Sequence, residues 1–325
     1  MAQRRTAGVG LALALLSAAT FSTSGSLARS LTEAGWSPEA AVTVRISVGA
    51  LLLAVPAILS MRGRWPALWR NAGSVTVYGL VAVAGGQVFF FNAVQHLSVG
   101  VALLIEYLGT VLVVGWLWLR HGQVPRRLTV AGSVTALVGL VLVLNIVGGA
   151  RLDPIGVLWG LAAAVGLAAY FLLSSRETDG VPPVMVAGAG MGVGAAALLG
   201  LGAAGLVPMH ARLGAVELAG QRTTWLVPVI GLSLVAAAFA YVAGIGAARM
   251  LGARLASFVG LTEVVFAVLV AWLVLGELPT AVQLLGGALI VAGVALVRVD
   301  ELRAPDAATG QPTVAPPTPT PAGVR

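Results

Sequence analysis

LGARLASFVGLTEVVFAVLVAWLVLGELPTAVQLLGGALIVAGVALV, residues 251–297, is the stretch that decides how the rest of the chain is read. It is an apolar helix, a tight break at Gly276-Glu277-Leu278-Pro279, and a second apolar helix. Shifted back by 154 positions without a gap, it lies over residues 97–143, and twelve of the 47 pairs are identical. The matches include Ala256 with Ala102, Trp272 with Trp118, Gly276 with Gly122, Pro279 with Pro125, Gly286 with Gly132 and Gly293 with Gly139. A chain rich in Ala, Gly, Val and Leu raises chance identity. It does not by itself put a Trp, a turn Gly, a turn Pro and two helix glycines in one register. Self-similarity at a fixed offset is the mark of a duplicated unit.

The unit is a membrane one. Of the 325 residues, 58% are hydrophobic and 10% charged, and the mean hydropathy is +0.97. A soluble domain carries about 25% charged residues. A membrane-crossing helix takes about 20 mostly apolar residues, so the length has room for ten with short connections. The chain has no Cys, which excludes disulfides, thiolate metal sites and thiol catalysis.

Apolar runs fall at about 9–27, 40–61, 74–93, 99–119 and 129–147, then at 155–173, 183–207, 225–247, 253–275 and 281–297. The first, behind Arg4 and Arg5, also has the outline of a secretory leader, but the repeat needs it as its first helix. This divides the chain into a first five-helix repeat (1–150), a second (151–303) and a Pro/Thr-rich tail (304–325). The tail cannot bury a core and reads as disordered. A polar loop with His210, Arg212, Glu217 and Arg222 separates the seventh run from the eighth.

All nineteen basic residues are Arg, and the formal net charge is +7. With the N-terminus inside, fourteen arginines fall on inner segments and four, Arg29, Arg151, Arg212 and Arg222, on outer loops. That is the positive-inside bias, and it accounts for the basic balance without nucleic acid. Five spans per half is an odd number, so the second half enters the membrane upside down relative to the first. The expected fold is all-α and integral to the membrane, ten transmembrane helices in two inverted five-helix repeats. Transporters of this architecture bind substrate near the midplane, between the repeats.

These residues resemble a known family, the ten-helix EamA-type members of the drug/metabolite transporter superfamily, over roughly 7–297. The family pattern of the second repeat is Glu-Pro-Val-Phe-Ala, then Trp, Gly-Glu, Gln and two spaced Gly. Here it reads Glu263, Val264, Val265, Phe266, Ala267, Trp272, Gly276, Glu277, Gln283, Gly286 and Gly293, with Val264 in place of the Pro. In the first repeat, Leu-Ile-Glu-Tyr-Leu-Gly ending at Gly109 is similar to the threonine/homoserine-exporter branch, with Thr110 where that branch has Pro. Without those two prolines nothing in the sequence specifies a kink at either point. The resemblance implies a secondary transporter of the inner membrane, multi-pass with both termini cytoplasmic. Family members carry amino acids, other metabolites or toxic compounds.

Glu106 lies mid-span in the fourth run and Glu263 in the ninth. A carboxylate at bilayer depth is costly and marks a pathway by default. Its roles are contact with a substrate ammonium or proton coupling, against a protonated Glu that merely ties two helices together. Arg45, in the second span, suits a substrate carboxylate, a protein carboxylate or the interface. Gln87, Asn92 and Tyr107 are pocket donors or helix–helix ties. Gln87 and Asn92, five apart, do not share a face. Trp116, Trp118 and Trp272 lie near span ends, as an interfacial belt does. His96, His121 and His210 fall in loops without metal-ligand spacing.

No P-loop, strand-borne dinucleotide fingerprint or catalytic triad is present in the sequence. The reading is export of a small metabolite, an amino acid or related amphipathic amine. The partners are that substrate, the lipid bilayer and protons as coupling ion, with no cofactor and no metal. Multidrug or toxic-compound efflux is the alternative within the class. A membrane-embedded enzyme or a non-transporting sensor is the alternative outside it.

Overall fold

The computed structural model describes residues 2–97, 99–143, 153–176, 180–275, 278 and 280–303. The chain is nearly all helix. Among the described residues, eight helices are long and apolar enough to cross a membrane: Ala7–Glu33, Pro38–Ser60, Ala72–His96, Val101–His121, Pro154–Ser174, Pro183–Ala203, Leu226–Gly260 and Ala281–Leu302. Arg127–Val143 is a shorter apolar helix. Most of the Gly276–Pro279 turn, the Arg151 loop and the tail lie outside the described residues.

Local chemistry sets many of the ends. Helix α3 (Pro38–Ser60) starts where the Ser37 side chain accepts from the Ala40 amide, with Pro38 in its first turn. Helix α10 (Pro154–Ser174) starts on Asp153, whose carboxylate accepts from the Ile155 amide. Helix α15 (Ala281–Leu302) opens on a reciprocal Thr280–Gln283 capping box. Each device satisfies amides that a first helical turn leaves unpaired. Helix α8 (Gly109–His121) ends at Gly122, left-handed at φ +64°, which is the turn glycine read from the repeat.

Several spans are interrupted. The first is α1 (Ala2–Phe21) followed by α2 (Ser24–Glu33). After the short helix α4 (Trp65–Arg70), the third is α5 (Ala72–Val77), a wide π-helical stretch Tyr78–Gly85, and α6 (Gly86–His96). The run Leu226–Gly260 comprises α12 (Leu226–Ile230), a second π stretch at Gly231–Phe239, and α13 (Ala240–Gly260). It leaves helical geometry at Gly252, with φ 78° and ψ 160°. One residue, Leu108, separates helix α7 (Val99–Tyr107) from α8, and one, Leu261, separates α13 from α14 (Thr262–Leu275). Both interruptions form without the prolines of the family pattern. At each, a threonine hydroxyl bonds the carbonyl three residues back: Thr110 to Tyr107 at 2.8 Å and Thr262 to Val259 at 2.6 Å. Such bonds offer the chain an alternative to the helix ladder.

The 154-residue offset extends well beyond the stretch that revealed it. It carries the start of α5 to that of α12, and the start of α9 (Arg127–Val143) to that of α15. It carries the first π stretch onto the second within a residue. Packing follows the same relation. Helix α1 lies on α13 as α6 lies on α10, α3 lies on α11 (Pro183–Ala203), and α9 lies on α15. In that last pair, a Cβ at Gly132 would sit 2.8 Å from the Gly293 carbonyl, and one at Gly293 would sit 2.6 Å from the Gly132 carbonyl. Gly139 and Gly286 repeat this, at 2.6 Å in both directions. Lipid tails are as apolar as the helices, so close backbone approach through small residues is what joins them.

One element departs from an all-α chain. The loop between α11 and α12 folds into an antiparallel hairpin, β1 (Ala215–Leu218) on β2 (Gln221–Thr224). Its two-residue turn, Ala219-Gly220, has φ +52° and +73°. This is the doubly positive turn that matches strand twist, and it is normally signalled by Asn-Gly or Asp-Gly. Ala-Gly hides that signal.

Candidate functional site

The helix interruptions surround a cavity of about 1290 Å³. Its wall draws on α1 and α2, on α6, on the end of α7, and on α10, α13 and α14. The hairpin contributes Glu217 through Gly220. Broken helices with small residues at the breaks leave room that continuous packed helices would fill. A shallow depression of about 670 Å³ outside the hairpin, between Leu213 and Trp225, has none of the buried carboxylates.

Glu106, Tyr107, Gln87 and Glu263 line this cavity. Glu106 is the penultimate residue of α7 and Glu263 sits in the first turn of α14, so each lies beside a helix interruption. Tyr107 spans the two halves of the chain. Its hydroxyl donates to Glu263 Oε2 at 2.9 Å and lies 3.2 Å from the Gly260 carbonyl.

Arg45 and Asn92 are not in the wall. Arg45 lies behind it, 1% exposed. Its Nη1 donates to Ser24 Oγ at 2.8 Å and Gln87 Oε1 at 2.6 Å, and its Nη2 donates to the Ala236 carbonyl in the second π stretch. The guanidinium carbon stands 6.0 Å from the Phe21 ring centre. Among the described residues no carboxylate is within ion-pairing distance of Arg45. Ser24, Gln87 and Phe21 are all wall residues, so Arg45 holds three parts of the wall from the rear. Gln87 completes the set by donating from Nε2 to the Tyr241 hydroxyl at 3.4 Å. Asn92 faces elsewhere and donates to Glu39 Oε1 at 3.1 Å. Its separation from Gln87 is the one expected of residues five apart on a helix.

Sequence reasoning missed the aromatic wall. Phe21, Tyr170, Phe171 and Tyr241 pack edge to face, with ring centres 4.9 to 6.3 Å apart. All four line the cavity. A signal was available: the chain has four tyrosines, Tyr78, Tyr107, Tyr170 and Tyr241, and every one is buried within the spans instead of sitting at an interface. Glu39, 5% exposed with Oε2 unbonded, was missed as well. Trp116, Trp118 and Trp272, read as an interfacial belt, are each 42% exposed or more. His96 is tied down, its Nδ1 2.9 Å from Asp153 Oδ2. The Ile155 amide above all, with His96 beside it, holds the Asp153 carboxyl below the usual aspartate range.

Residues 8–145 and 154–299 match the model of the EamA-like transporter family. A pseudopaline exporter of Pseudomonas aeruginosa is 34% identical over 94 residues, 27% of this chain and 33% of that one, so the match spans about a third of the exporter's length. An uncharacterized transporter of Archaeoglobus fulgidus is 28% identical over 225 residues, 69% of this chain and 75% of that one. A solved crystal structure superposes with a TM-score of 0.71 at 22% identity, covering 93% of this chain and 99% of its own. At that identity what is shared is the fold.

Proposed function

Because the chain belongs to the EamA-like transporter family, we propose that it is a secondary exporter of a small metabolite, an amino acid or related amphipathic amine. The observation that carries this reading is the cavity. It lies among apolar membrane helices, and Glu106 and Glu263 line it with Gln87 and Tyr107. Carboxylates at that depth are stable only where they serve a pathway or are paired. Glu106 makes contact with the substrate ammonium or exchanges a proton, Glu263 stands opposite, and Arg45 holds the wall in shape. Protons are the proposed coupling ion.

We read the architecture as ten spans in two inverted repeats. The recurring boundaries, the paired π stretches and the reciprocal Gly132–Gly293 and Gly139–Gly286 contacts support it. Two copies related by a two-fold axis contact each other with equivalent residues exchanged. Inversion requires an odd span count in each half, and on this reading the break at Gly252 is the boundary between the eighth span and the ninth. The Arg distribution supports an inner-membrane placement with both termini cytoplasmic.

A second reading, efflux of larger toxic compounds, draws on the cavity volume, which exceeds the usual 300–1,000 Å³ of small-ligand sites. An untargeted comparison of metabolite retention in cells with and without the protein tests both. The proposal predicts selective depletion of one or a few amines or amino acids. Unchanged pools across all metabolites, with the protein inserted, would overturn it.

A further inference from the structure

The charges around the cavity are one-sided. The acidic wall residues are Glu33, Glu106, Glu217 and Glu263. Among the described residues the sole basic side chain in the wall is Arg29, and its Nε is already 2.6 Å from Glu33 Oε1. The nearby Arg45 has both terminal nitrogens committed to Ser24, Gln87 and Ala236, and it is sealed behind the wall. A ligand ammonium therefore finds Glu106 and Glu263, of which only Glu263 Oε2 is taken, by Tyr107. The aromatic residues Phe21, Tyr170 and Tyr241 line the same cavity, and aromatic rings attract cations. A ligand carboxylate finds a cation in the described wall only at Arg29, which is exposed and paired with Glu33, and none beside Glu106 and Glu263. The start of α14, an end that would attract an anion through its dipole, has Glu263 in its first turn.

We infer that the cavity takes an organic amine with an apolar or aromatic body and disfavours the corresponding amino acid. This rests on the export reading and narrows it: of the two substrate classes named there, the wall suits the amine. A carboxylate brought beside Glu106 and Glu263 meets two acidic side chains and no cation in the wall next to them, which is a basis for rejection.

The test is competition on the purified full-length protein in lipid nanodiscs, with tritiated tyramine as probe. The competitors are tyramine, tyrosine and tyrosine methyl ester, then the tryptamine and phenethylamine sets. In each set the amine should compete at about tenfold lower concentration or better than the amino acid. The methyl ester, which keeps the bulk and loses the negative charge, should follow the amine. Glu106→Gln and Glu263→Gln should weaken the amines more than the amino acids. Amino acids that compete as well as their amines would overturn the inference. They would leave the export reading intact. Absence of tyramine binding would also overturn it. Amines that bind as predicted but are not moved in counterflow by reconstituted protein would uphold the inference and sink the export reading.

Discussion

Adding one methyl at Gly286 should measurably destabilise the protein, although alanine is the better helix former. The new Cβ would lie 2.6 Å from the Gly139 carbonyl oxygen and 2.7 Å from the Val143 amide nitrogen. Ordinary contact begins near 3.4 Å, and both neighbours are backbone, so α9 and α15 must part by about 0.8 Å at that crossing. Overpacking of this kind costs about 1–3 kcal/mol, and backbone against backbone belongs at the upper end. The gain in helix propensity returns about 1 kcal/mol. The expected net loss is about 1–2 kcal/mol, a fall of roughly 1.5–3 °C in melting temperature for a chain of this size. Gly139→Ala presses on the same crossing from the other side. The double variant should therefore lose less than the sum, by more than about 0.5 kcal/mol. Gly192→Ala is the control: nothing lies within 4 Å of its added Cβ, so it should be neutral or slightly stabilising. The assay is thermal unfolding of the detergent-solubilised protein followed by size-exclusion fluorescence. A Gly286→Ala melting point at or above wild type, or a loss equal to that of Gly192→Ala, would refute the packing argument.

Other consequences follow from particular contacts. Gly244→Ala puts a Cβ 1.9 Å from the Tyr170 hydroxyl oxygen and 2.8 Å from Ser17 Oγ. It should therefore reshape the aromatic wall and lower tyramine affinity by about tenfold, whereas Gly246→Ala, 3.5 Å from Leu13, should not; equal affinities would contradict the wall. The Asp153 carboxyl is held below its ordinary range, so its contribution is present at neutral pH and is lost as pH falls through that lowered value. Asp153→Asn should then lose less stability than wild type between about pH 5 and pH 3, as read from melting curves, and parallel losses would remove the assigned cap. Reporter fusions after Arg70, Arg127 and Arg303 should report cytoplasm, and one in the loop between His210 and Glu217 should report outside. Arg70 and Arg303 fusions on opposite faces would exclude ten spans.

The fold was legible because membrane helices announce themselves by length and hydropathy, and the repeat by Trp118, Gly122, Pro125, Gly132 and Gly139 recurring at one offset. What those glycines do was only half legible. Equivalent positions across the repeat turned out to be contact partners in exchanged pairs. Nor does every membrane-span glycine mark a close contact: Gly192 and Gly200 have open space where a Cβ would go, and Gly188 meets only Leu53 and Ala57. The interruptions at Leu108 and Leu261 were hidden because proline is the familiar signal and threonine back-bonding took its place. At the site, Glu106, Tyr107, Gln87 and Glu263 could be picked out as polar groups at membrane depth. Arg45 could not be assigned. Whether a buried guanidinium faces a ligand or props the wall depends on Ser24, Gln87 and Ala236, which come from distant parts of the chain. The four tyrosines could be placed within spans, but their meeting in one cluster could not be read for the same reason: its members are separated by many residues in sequence and meet only in space.

The central claim is that the cavity is the transport path and Glu106 its working group. The measurement that tests it most directly is efflux normalised to membrane-inserted protein for Glu106→Gln, at several external pH values. That substitution keeps the volume and most of the hydrogen bonding, and it removes the charge and the exchangeable acid. Normal insertion with at least about tenfold slower efflux is predicted, while Glu277→Gln in the sequence-read turn stays mild. Efflux that persists but loses its pH dependence would assign proton exchange to Glu106 within the same account. Full activity with wild-type pH dependence in Glu106→Gln would contradict it.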